Sequence, residues 1–372
     1  MNKQVLITGG AGFIGSHLAD HLLAHGYSVR AFDNLDPQVH GACADRPEYL
    51  DPEIELFVGD IRDADILRRA LTGVDVVFHF ASLVGVGQSM YNIAHYTSVN
   101  NYGTAVLLEA LIENPVERMV VASSMSLYGE GLYVDPDGNI TDAVDRRLEH
   151  LRNGDWEVRS EHGELLTPIP TPETKQPSIA SVYALSKYDQ ERMCLITGRA
   201  YQIPTVALRF FNVYGSRQAL SNPYTGVLAI FASRLLNDSP PVIYEDGNQR
   251  RDFVSVYDVV RACRLAIENP NADGQVLNIG SGQNKTILEV AERMAAAMGK
   301  DNVGVQMTEK YRVGDIRHCF ADISQARQVL GFEPHVSFEA GLVELVSWLD
   351  GQQAVDRVAE AGAELVARRL TV

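Results

Sequence analysis

The sequence predicts a doubly wound α/β fold, a parallel sheet with helices on both faces. Three observations predict it. Short apolar runs alternate with stretches of helical period through the first half of the chain, and a glycine-rich turn joins the first run to the first helical stretch. The composition, 46% hydrophobic and 22% charged, is that of an ordinary globular chain and excludes disorder, collagen and a disulfide-stapled mini-fold. With 372 residues, against about 100–200 for a typical domain, the chain has length for two domains or for one enlarged by insertions.

The elements follow in order. Val5 to Thr8 reads as a strand and Phe13 to Leu23 as a helix; Ser28 to Asp33 and Ile54 to Val58 are the next strands, Ala64 to Leu71 the next helix, and Val74 to Phe80 the fourth strand. This alternation is the mark of βαβ units, whose right-handed crossovers lay strands side by side in parallel. A long helical stretch from Ile93 to Glu113 leads to a fifth strand, Met119 to Ser123. From Gly131 to Ser178 the pattern fails. That stretch is polar, carries five prolines (Pro136, Pro168, Pro170, Pro172, Pro177) and offers one short helix around Ala143 to Leu151. Strand-to-helix loops usually take about 2–6 residues, so this one is a lid or an insertion with a small fold of its own. Periodicity resumes with a helix over Val182–Tyr201 and a strand over Thr205–Phe210. Later segments at Gly247 to Val254, Gln275 to Gly280, Leu288 to Met298, Phe338 to Leu349 and Val355 to Leu370 imply a second, smaller domain threaded through the end of the first. The last of these has apolar residues at helical spacing, suited to capping that domain or, as the second choice, a partner subunit. There is no internal repeat.

Charge and cysteine usage narrow the function. The 32 basic and 48 acidic residues leave a net charge of −16, which repels nucleic acid and anionic membrane surfaces. Cys43, Cys194, Cys263 and Cys319 lie far apart without a C-x-x-C pair, which argues against a zinc site or a disulfide framework and for reduced thiols in the cytoplasm. No apolar run approaches the roughly 18 residues that span a bilayer, and the first residues lead into a strand rather than a signal core.

Thr8 to Gly15 reads TGGAGFIG, with Gly9, Gly12 and Gly15 between the first strand and the first helix. Glycines there permit a tight turn, close approach of backbone to a pyrophosphate and close packing of helix on strand, while the helix N-terminus offers free N–H donors. Asp33 closes the second strand 18 residues after Gly15, placed to accept hydrogen bonds from ribose hydroxyls and to repel a 2′-phosphate, so NAD is favoured over NADP. The fold is thus expected to be of Rossmann type. Asp60 and Ile61, after the third strand, are placed to flank the adenine.

Tyr183 and Lys187 are four apart on an expected helix and so share one face. Alone, such a pair is as readily an exposed cation beside a half-buried ring; its location after the fifth strand, whose end carries Ser124, gives it weight. A phenol with a pKa near 10 needs a shift of about three units to act as a base near neutrality. A neighbouring ammonium and a positive nicotinamide ring are perturbations of the required sign. His79, alone at a strand end, reads as a packed core histidine.

Thr8 to Gly15, His79-Phe80-Ala81, Ser123 to Gly129, Tyr183 to Lys187, Arg209 to Gly215 and Arg251-Asp252-Phe253-Val254 together resemble the extended short-chain dehydrogenase/reductase family, specifically its nucleotide-sugar epimerases and dehydratases. The ordered match runs from residue 3 to about residue 350. The resemblance implies NAD held by Gly9, Gly12, Phe13, Ile14, Gly15, Asp33, Asn34, Asp60, Ile61, Phe80 and Ala81, together with Tyr183 and Lys187. It implies Tyr183 as catalytic base, Lys187 on the nicotinamide ribose and Ser124 on the reacting hydroxyl. Substrate contacts are implied for Ser124, Ser126, Asn212, Arg251, Arg312 and Asp315, the arginines facing phosphate. Residues 1–212 with about 250–280 are then the NAD-binding domain, interrupted by the 131–178 insertion, and 213–249 with 281–372 the sugar-nucleotide domain. The family usually dimerises through the helix after the fourth strand and the Tyr-bearing helix, so a homodimer is expected.

The relatives that expel water across C5 and C6 follow their Ser or Thr with an Asp-Glu pair. This chain has Met125 and Ser126, so the expected reaction is 4-epimerisation through a transient 4-keto sugar. The insertion, together with Ser221 to Gly226 and Gly314 to His318, resembles epimerases acting on dTDP-6-deoxyhexoses such as dTDP-L-rhamnose. UDP-glucose and UDP-glucuronate 4-epimerases compete with that reading, as do a dehydratase or reductase and a non-catalytic NAD-binding sensor or scaffold.

Overall fold

The computed structural model describes residues 3–41, 45–142 and 146–371. Cys43 and the start of the expected short helix, Ala143, lie outside the described residues. Seven strands form one parallel sheet: β1 (Gln4–Thr8), β2 (Ser28–Asp33), β3 (Glu55–Val58), β4 (Val76–His79), β5 (Arg118–Ser124), β6 (Thr205–Phe210) and β7 (Val276–Ile279), in the order β3-β2-β1-β4-β5-β6-β7. The order reverses at β1, which pairs with both β2 and β4, and so opens a crevice at the carboxyl ends of those strands.

Successive side chains on each strand point to opposite faces, and both faces are covered. Val5, Ile7, Phe78, Val120 and Leu208 bury against α1 (Phe13–Ala24) on one side. Leu6, Val77, Met119, Val121 and Ala207 bury on the other, against α2 (Ala64–Ala70), α3 (Gly103–Glu113) and α4 (Val182–Tyr201). Each fully buried Leu or Val contributes about 1.5–3 kcal/mol, which is why the strands read as near-continuous apolar runs. A second core joins α5 (Val227–Leu236), α7 (Ile287–Ala297) and α8 (Phe338–Leu349) through Phe231, Leu235, Met294 and Leu342. Between them in sequence, α6 (Val256–Glu268) packs on α1 through the first core. The helix Ser324–Leu330 also places Ala326 and Leu330 in that first core.

The expected helix from Ile93 to Glu113 is not continuous. One α-turn, Ile93–Tyr96, passes into a π-helical stretch, Thr97–Tyr102, before α3. The side chain of Asn100 is the cause we see: fully buried, it accepts from Leu83 N at 2.7 Å and donates to Leu83 O at 3.1 Å and Ser186 Oγ at 2.9 Å. The extra residue in the turn brings Asn100 inward to those partners, and such bulges recur at functional sites. The segment from Gly247 to Val254 holds two short strands, Arg250–Arg251 and Phe253–Ser255.

The 131–178 insertion folds on itself. Leu132–Val134 pairs antiparallel with Ile140–Asp142 and Thr167–Ile169, around Tyr133, Val158 and Leu166. The short helix is Leu148–Arg152. Charge joins the insertion to the body. Arg317, fully buried, reaches Glu245 at 2.9 Å, Asp246 at 2.6 Å and Glu157. Arg146 meets Glu245 at 2.8 Å and Glu130 at 3.3 Å, and His318 contacts Glu157 at 3.2 Å.

Candidate active site

The turn after β1 is shaped by its glycines. Gly9 has φ +73°, a conformation costly for residues with a Cβ, and donates its N–H to Phe32 O at 2.8 Å. A Cβ on Gly15 would overlap the carbonyl oxygen of Gly9, so the turn closes onto α1 only with glycine there. Asp33 ends β2, and its carboxylate is fixed by Ala11 N and Leu35 N, both at 3.0 Å. Asn34 follows on the exposed rim. Thr8 Oγ1 accepts the N–H groups of Phe80 and Ala81 at 3.2 Å, which draws the segment after β4 under the turn. Asp60 is clasped by Arg62, whose N and Nε donate to one carboxylate oxygen at 2.9 and 2.8 Å, and this pairing lowers its pKa. Ile61 packs beneath Gly103.

Tyr183 lies in the first turn of α4, with Ser181 as N-cap accepting Ala184 N at 3.1 Å and Ser89 Oγ accepting Tyr183 N at 3.0 Å. Burial raises the pKa of its phenol, and a hydrogen bond with Ser124 opposes that rise. Ser126 donates to Ser124 Oγ from its backbone N at 3.2 Å and from its hydroxyl at 2.9 Å. One turn along α4, Lys187 is 3% exposed and donates to Gln190 Oε1 at 2.7 Å. Burial lowers its pKa to about 8, against the opposing pull of Cys194 and Glu191. A bidentate pair between Glu191 and Arg209, at 2.7 and 2.9 Å, locks the helix to β6. The phenol and the ammonium are thus held on a helix whose register against the sheet is fixed.

Asn212 opens the strand Asn212–Tyr214, and its Oδ1 is buried without a partner. Arg251 donates through Nη1 to Arg250 O and Arg317 O, both at 2.9 Å, and through Nη2 to Ile316 O. That leaves Nε–H and one Nη2 hydrogen for a ligand. Arg312 pairs with Asp315 at 2.8 and 3.0 Å and lies over the Tyr244 ring at 5.2 Å. The Asp315 carboxylate is therefore engaged by Arg312, and it orients that guanidinium. α9 (Val358–Ala367) lines the cleft with Val358, Ala361, Gly362 and Leu365. It is fastened by Val313 N to Leu370 O at 2.9 Å and by Arg368 over the Tyr91 ring at 4.3 Å.

All these groups line one cleft of about 650 Å³: Gly9, Gly12, Phe13, Ile14, Gly15, Asp33, Asn34, Asp60, Ile61, Phe80, Ala81, Ser124, Ser126, Tyr183, Lys187, Asn212, Arg251, Arg312 and Asp315. Every residue that the resemblance implies for cofactor or substrate thus lines the same cleft. The family model described as the NAD dependent epimerase/dehydratase family matches residues 5–148 and 160–280. The chain belongs to that family.

Within the family, the chain is 36% identical over 361 residues to the dTDP-L-rhamnose 4-epimerase of Burkholderia thailandensis, covering 95% of this chain and 96% of that protein. Among solved structures it is similar to the UDP-glucose 4-epimerase of Thermotoga maritima with UDP-glucose, at TM-score 0.77 and 31% identity, covering 94% and 99% of the two chains. It is also similar to the Thermus thermophilus UDP-glucose 4-epimerase complexed with NAD, at TM-score 0.73, 31% identity and the same coverage. The protein is an NAD-dependent epimerase of the nucleotide-sugar 4-epimerase group, an isomerase built on a Rossmann-type sheet. The glycine cradle and the fixed Asp33 carboxylate fit NAD.

Sequence reasoning missed several residues around the site. Thr8, Thr104 and Gln190 form a buried polar chain with His79, which, as expected, is packed in the core. Leu365 lies over Gly87, whose Cβ, if present, would come within 3.3 Å of it. The helical spacing of the 355–370 segment was the available signal for Leu365. Among the described residues no group of three His, Cys, Asp or Glu could hold a metal, and no helix is long and apolar enough to cross a membrane.

Proposed function

We propose that this protein is a nucleotide-diphosphate-sugar 4-epimerase acting on a dTDP- or UDP-hexose of the dTDP-L-rhamnose type. The observation that carries the reading is that Ser124, Tyr183 and Lys187 line one cleft while no cleft-lining carboxylate adjoins Ser124. Met125 and Ser126 stand next to Ser124, and the carboxylates lining the cleft, Asp33, Asp36, Asp60 and Asp315, belong to its other parts. Expelling water across C5 and C6 needs a second acid–base pair there; inverting C4 does not.

Bound NAD+ supplies a hydride acceptor for C4 and a donor that returns the hydride to the other face of the 4-keto sugar. Tyr183 takes the hydroxyl proton and later gives one back, and Ser124 holds the reacting oxygen in line with the phenol. Lys187 supplies positive charge that lowers the phenol toward working pH. Asn212, Arg251 and Arg312 hold the nucleotide end, and that remote binding keeps the ketone in the cleft while the ring turns. Among the described residues the lysine and arginine side chains lining the cleft are Lys187, Arg251 and Arg312, and each already has a role. This favours a neutral hexose over a uronate, and the apolar wall of Val84, Val86 and Leu365 suits a 6-deoxy sugar. The 36% identical rhamnose 4-epimerase points the same way.

We infer a homodimer from apolar side chains left exposed on the two helical elements concerned: Ile93, Tyr102 and Ile112 on one, Leu185, Ile196 and Tyr201 on the other. The buried free thiols Cys194, Cys263 and Cys319 suit a cytoplasmic protein. Incubation with UDP-, dTDP- and GDP-sugars, followed by NMR for the epimer, tests the assignment. We expect a dTDP- or UDP-hexose to be interconverted with its C4 epimer. Tyr183→Phe should bind cofactor and sugar yet lose at least about two orders of magnitude in rate; near-normal turnover by that variant would overturn the role of Tyr183.

A further inference from the structure

A chain of buried polar groups reaches Lys187 from the sheet, and of its members only Thr8 also shapes the cofactor cradle. It begins at Thr8, the last residue of β1, passes through His79 at the end of β4 and Thr104 in α3, and ends at Gln190 in α4; all four are at most 1% exposed. The contacts are Thr8 Oγ1 to His79 Nδ1 at 2.9 Å, His79 Nε2 to Thr104 Oγ1 at 2.9 Å, Gln190 Nε2 to Thr104 Oγ1 at 2.9 Å, and Lys187 Nζ to Gln190 Oε1 at 2.7 Å.

Counting hydrogens fixes the direction of these four bonds, and it makes the further approach of Gln190 Nε2 to His79 Nε2, at 3.2 Å, two donors side by side that converge on Thr104 Oγ1. Thr8 Oγ1 accepts the N–H groups of Phe80 and Ala81, which fills its two lone pairs, so its own hydrogen goes to His79 Nδ1. His79 is held neutral, its pKa lowered to about 3 by burial and by Lys187, so the ring proton is on Nε2 and points to Thr104 Oγ1. The Thr104 hydroxyl hydrogen is spent on Asn100 O, the residue at the centre of the π-helical stretch. Thr104 Oγ1 is therefore an acceptor only, and Gln190 must show it the NH2 end of its amide. The carbonyl end then faces Lys187. With the amide reversed, two oxygens without a hydrogen between them would meet at Thr104, and an NH2 would meet the ammonium.

We propose that Gln190 is a positioning residue for the Tyr183–Lys187 pair: it holds the Lys187 ammonium on a neutral acceptor whose orientation is set by Thr104, His79 and Thr8. The proposal rests on the reading of Tyr183 and Lys187 as the acid–base pair. Its point is the choice of an amide. A buried ammonium needs an acceptor, yet a carboxylate would cancel the positive field that the phenol requires. The other ionisable groups around the lysine do not cancel it. Glu191 is committed to Arg209 of β6 and to Ser123 of β5, His79 is neutral, and burial keeps Cys194 a thiol, its pKa raised to about 12. Tyr128 is tied to Arg209, and Tyr96, which faces Tyr183, is held neutral by burial.

The test uses the NAD-loaded protein and needs no sugar. The ionisation of Tyr183 is read as phenolate absorbance against pH, taking the difference between each variant and the same variant carrying Tyr183→Phe. Gln190→Met removes the acceptor and should raise the Tyr183 midpoint by about one unit, a roughly tenfold smaller phenolate fraction near neutrality. Thr104→Val, which frees the amide to turn, should move it the same way, and Thr104→Ser should restore it. A role in packing alone predicts no such pattern. If Gln190→Met does not fold, the Thr104 pair decides. A folded, NAD-binding Gln190→Met or Thr104→Val protein with the wild-type midpoint overturns the proposal. A wild-type midpoint at or above that of free tyrosine would instead overturn the acid–base reading on which it rests.

Discussion

Replacing Lys187 with methionine should abolish turnover and leave the fold as stable or more so. Burial lowers the lysine from its ordinary 10.5 to about 8, a drop of roughly 2.5 units, and at about 1.4 kcal/mol per unit the fold spends about 3 kcal/mol on keeping the charge buried. Methionine fills the same space without charge but strands Gln190 Oε1, which costs about 1–3 kcal/mol. The balance is a gain of about 0–2 kcal/mol near pH 7. Urea unfolding of cofactor-free protein measures it. The pH dependence is the sharper check. The folded-state value lies below the unfolded one, so below about pH 8 lysine is protonated in both states and its cost is fully present. Between about 8 and 10.5 the unfolded chain binds more protons, and wild-type stability rises with pH relative to the variant. The variant's advantage should therefore shrink across that window. A variant less stable by more than about 1 kcal/mol at pH 7, or an advantage that does not shrink between pH 8 and 10, would refute the reasoning.

Gly15→Ala should lose NAD binding, because the new methyl meets the Gly9 carbonyl; cofactor content of the purified protein reports it. Asp33→Ala should weaken NAD+ and lift the exclusion of NADP+, and dissociation constants measured for both dinucleotides test this; an unchanged ratio would remove Asp33 from cofactor choice. Arg317→Met leaves Asp246 without a cation, Glu245 with Arg146 alone and Glu157 with His318 alone, and should cost about 3–5 kcal/mol in unfolding experiments at neutral pH. Glu157 is pulled down to about 2 mainly by its hydrogen bond to His318 and then by Arg317, and Asp246 is brought to about 2 by Arg317 and Asn248 against burial. Their stabilisation is present above about pH 4 and fades toward pH 2, so the gap between wild type and Arg317→Met should narrow over that range.

The parts of the fold legible in the sequence are those set by local pattern. β2, β6, α4 and α8 have the bounds expected from their periodicity, because Asp33, Ser181 and Ser337 mark their ends and the apolar runs between are buried on the faces the period assigns. The cleft was legible for the same reason: strand ends in a parallel sheet bring Gly9, Asp33, Phe80 and Ser124 to one edge. Partners distant in sequence were not. The π-helical stretch depends on Asn100 reaching Leu83, and nothing in its own window signals that. Gln190 sits in a polar run, Lys187-Tyr188-Asp189-Gln190-Glu191-Arg192, that reads as a solvated face; only the packing of β4 and α3 against it reveals a buried amide. Nor does the sequence signal that Arg251 spends three of its five N–H donors on backbone carbonyls and Arg312 two of its five on Asp315.

The cluster around Arg317 bears on how this lineage can be recombined. Arg146 and Glu157 lie within 131–178, while Glu130, Glu245, Asp246, Arg317 and His318 lie outside it. A chimaera that exchanges the insertion with a relative's at those borders parts buried cations from their anions on both sides of the cut. Grafts should succeed only where the five outside positions travel with the loop or are already the same in the recipient, so homologous loops are interchangeable as sets of charges rather than as contiguous cassettes.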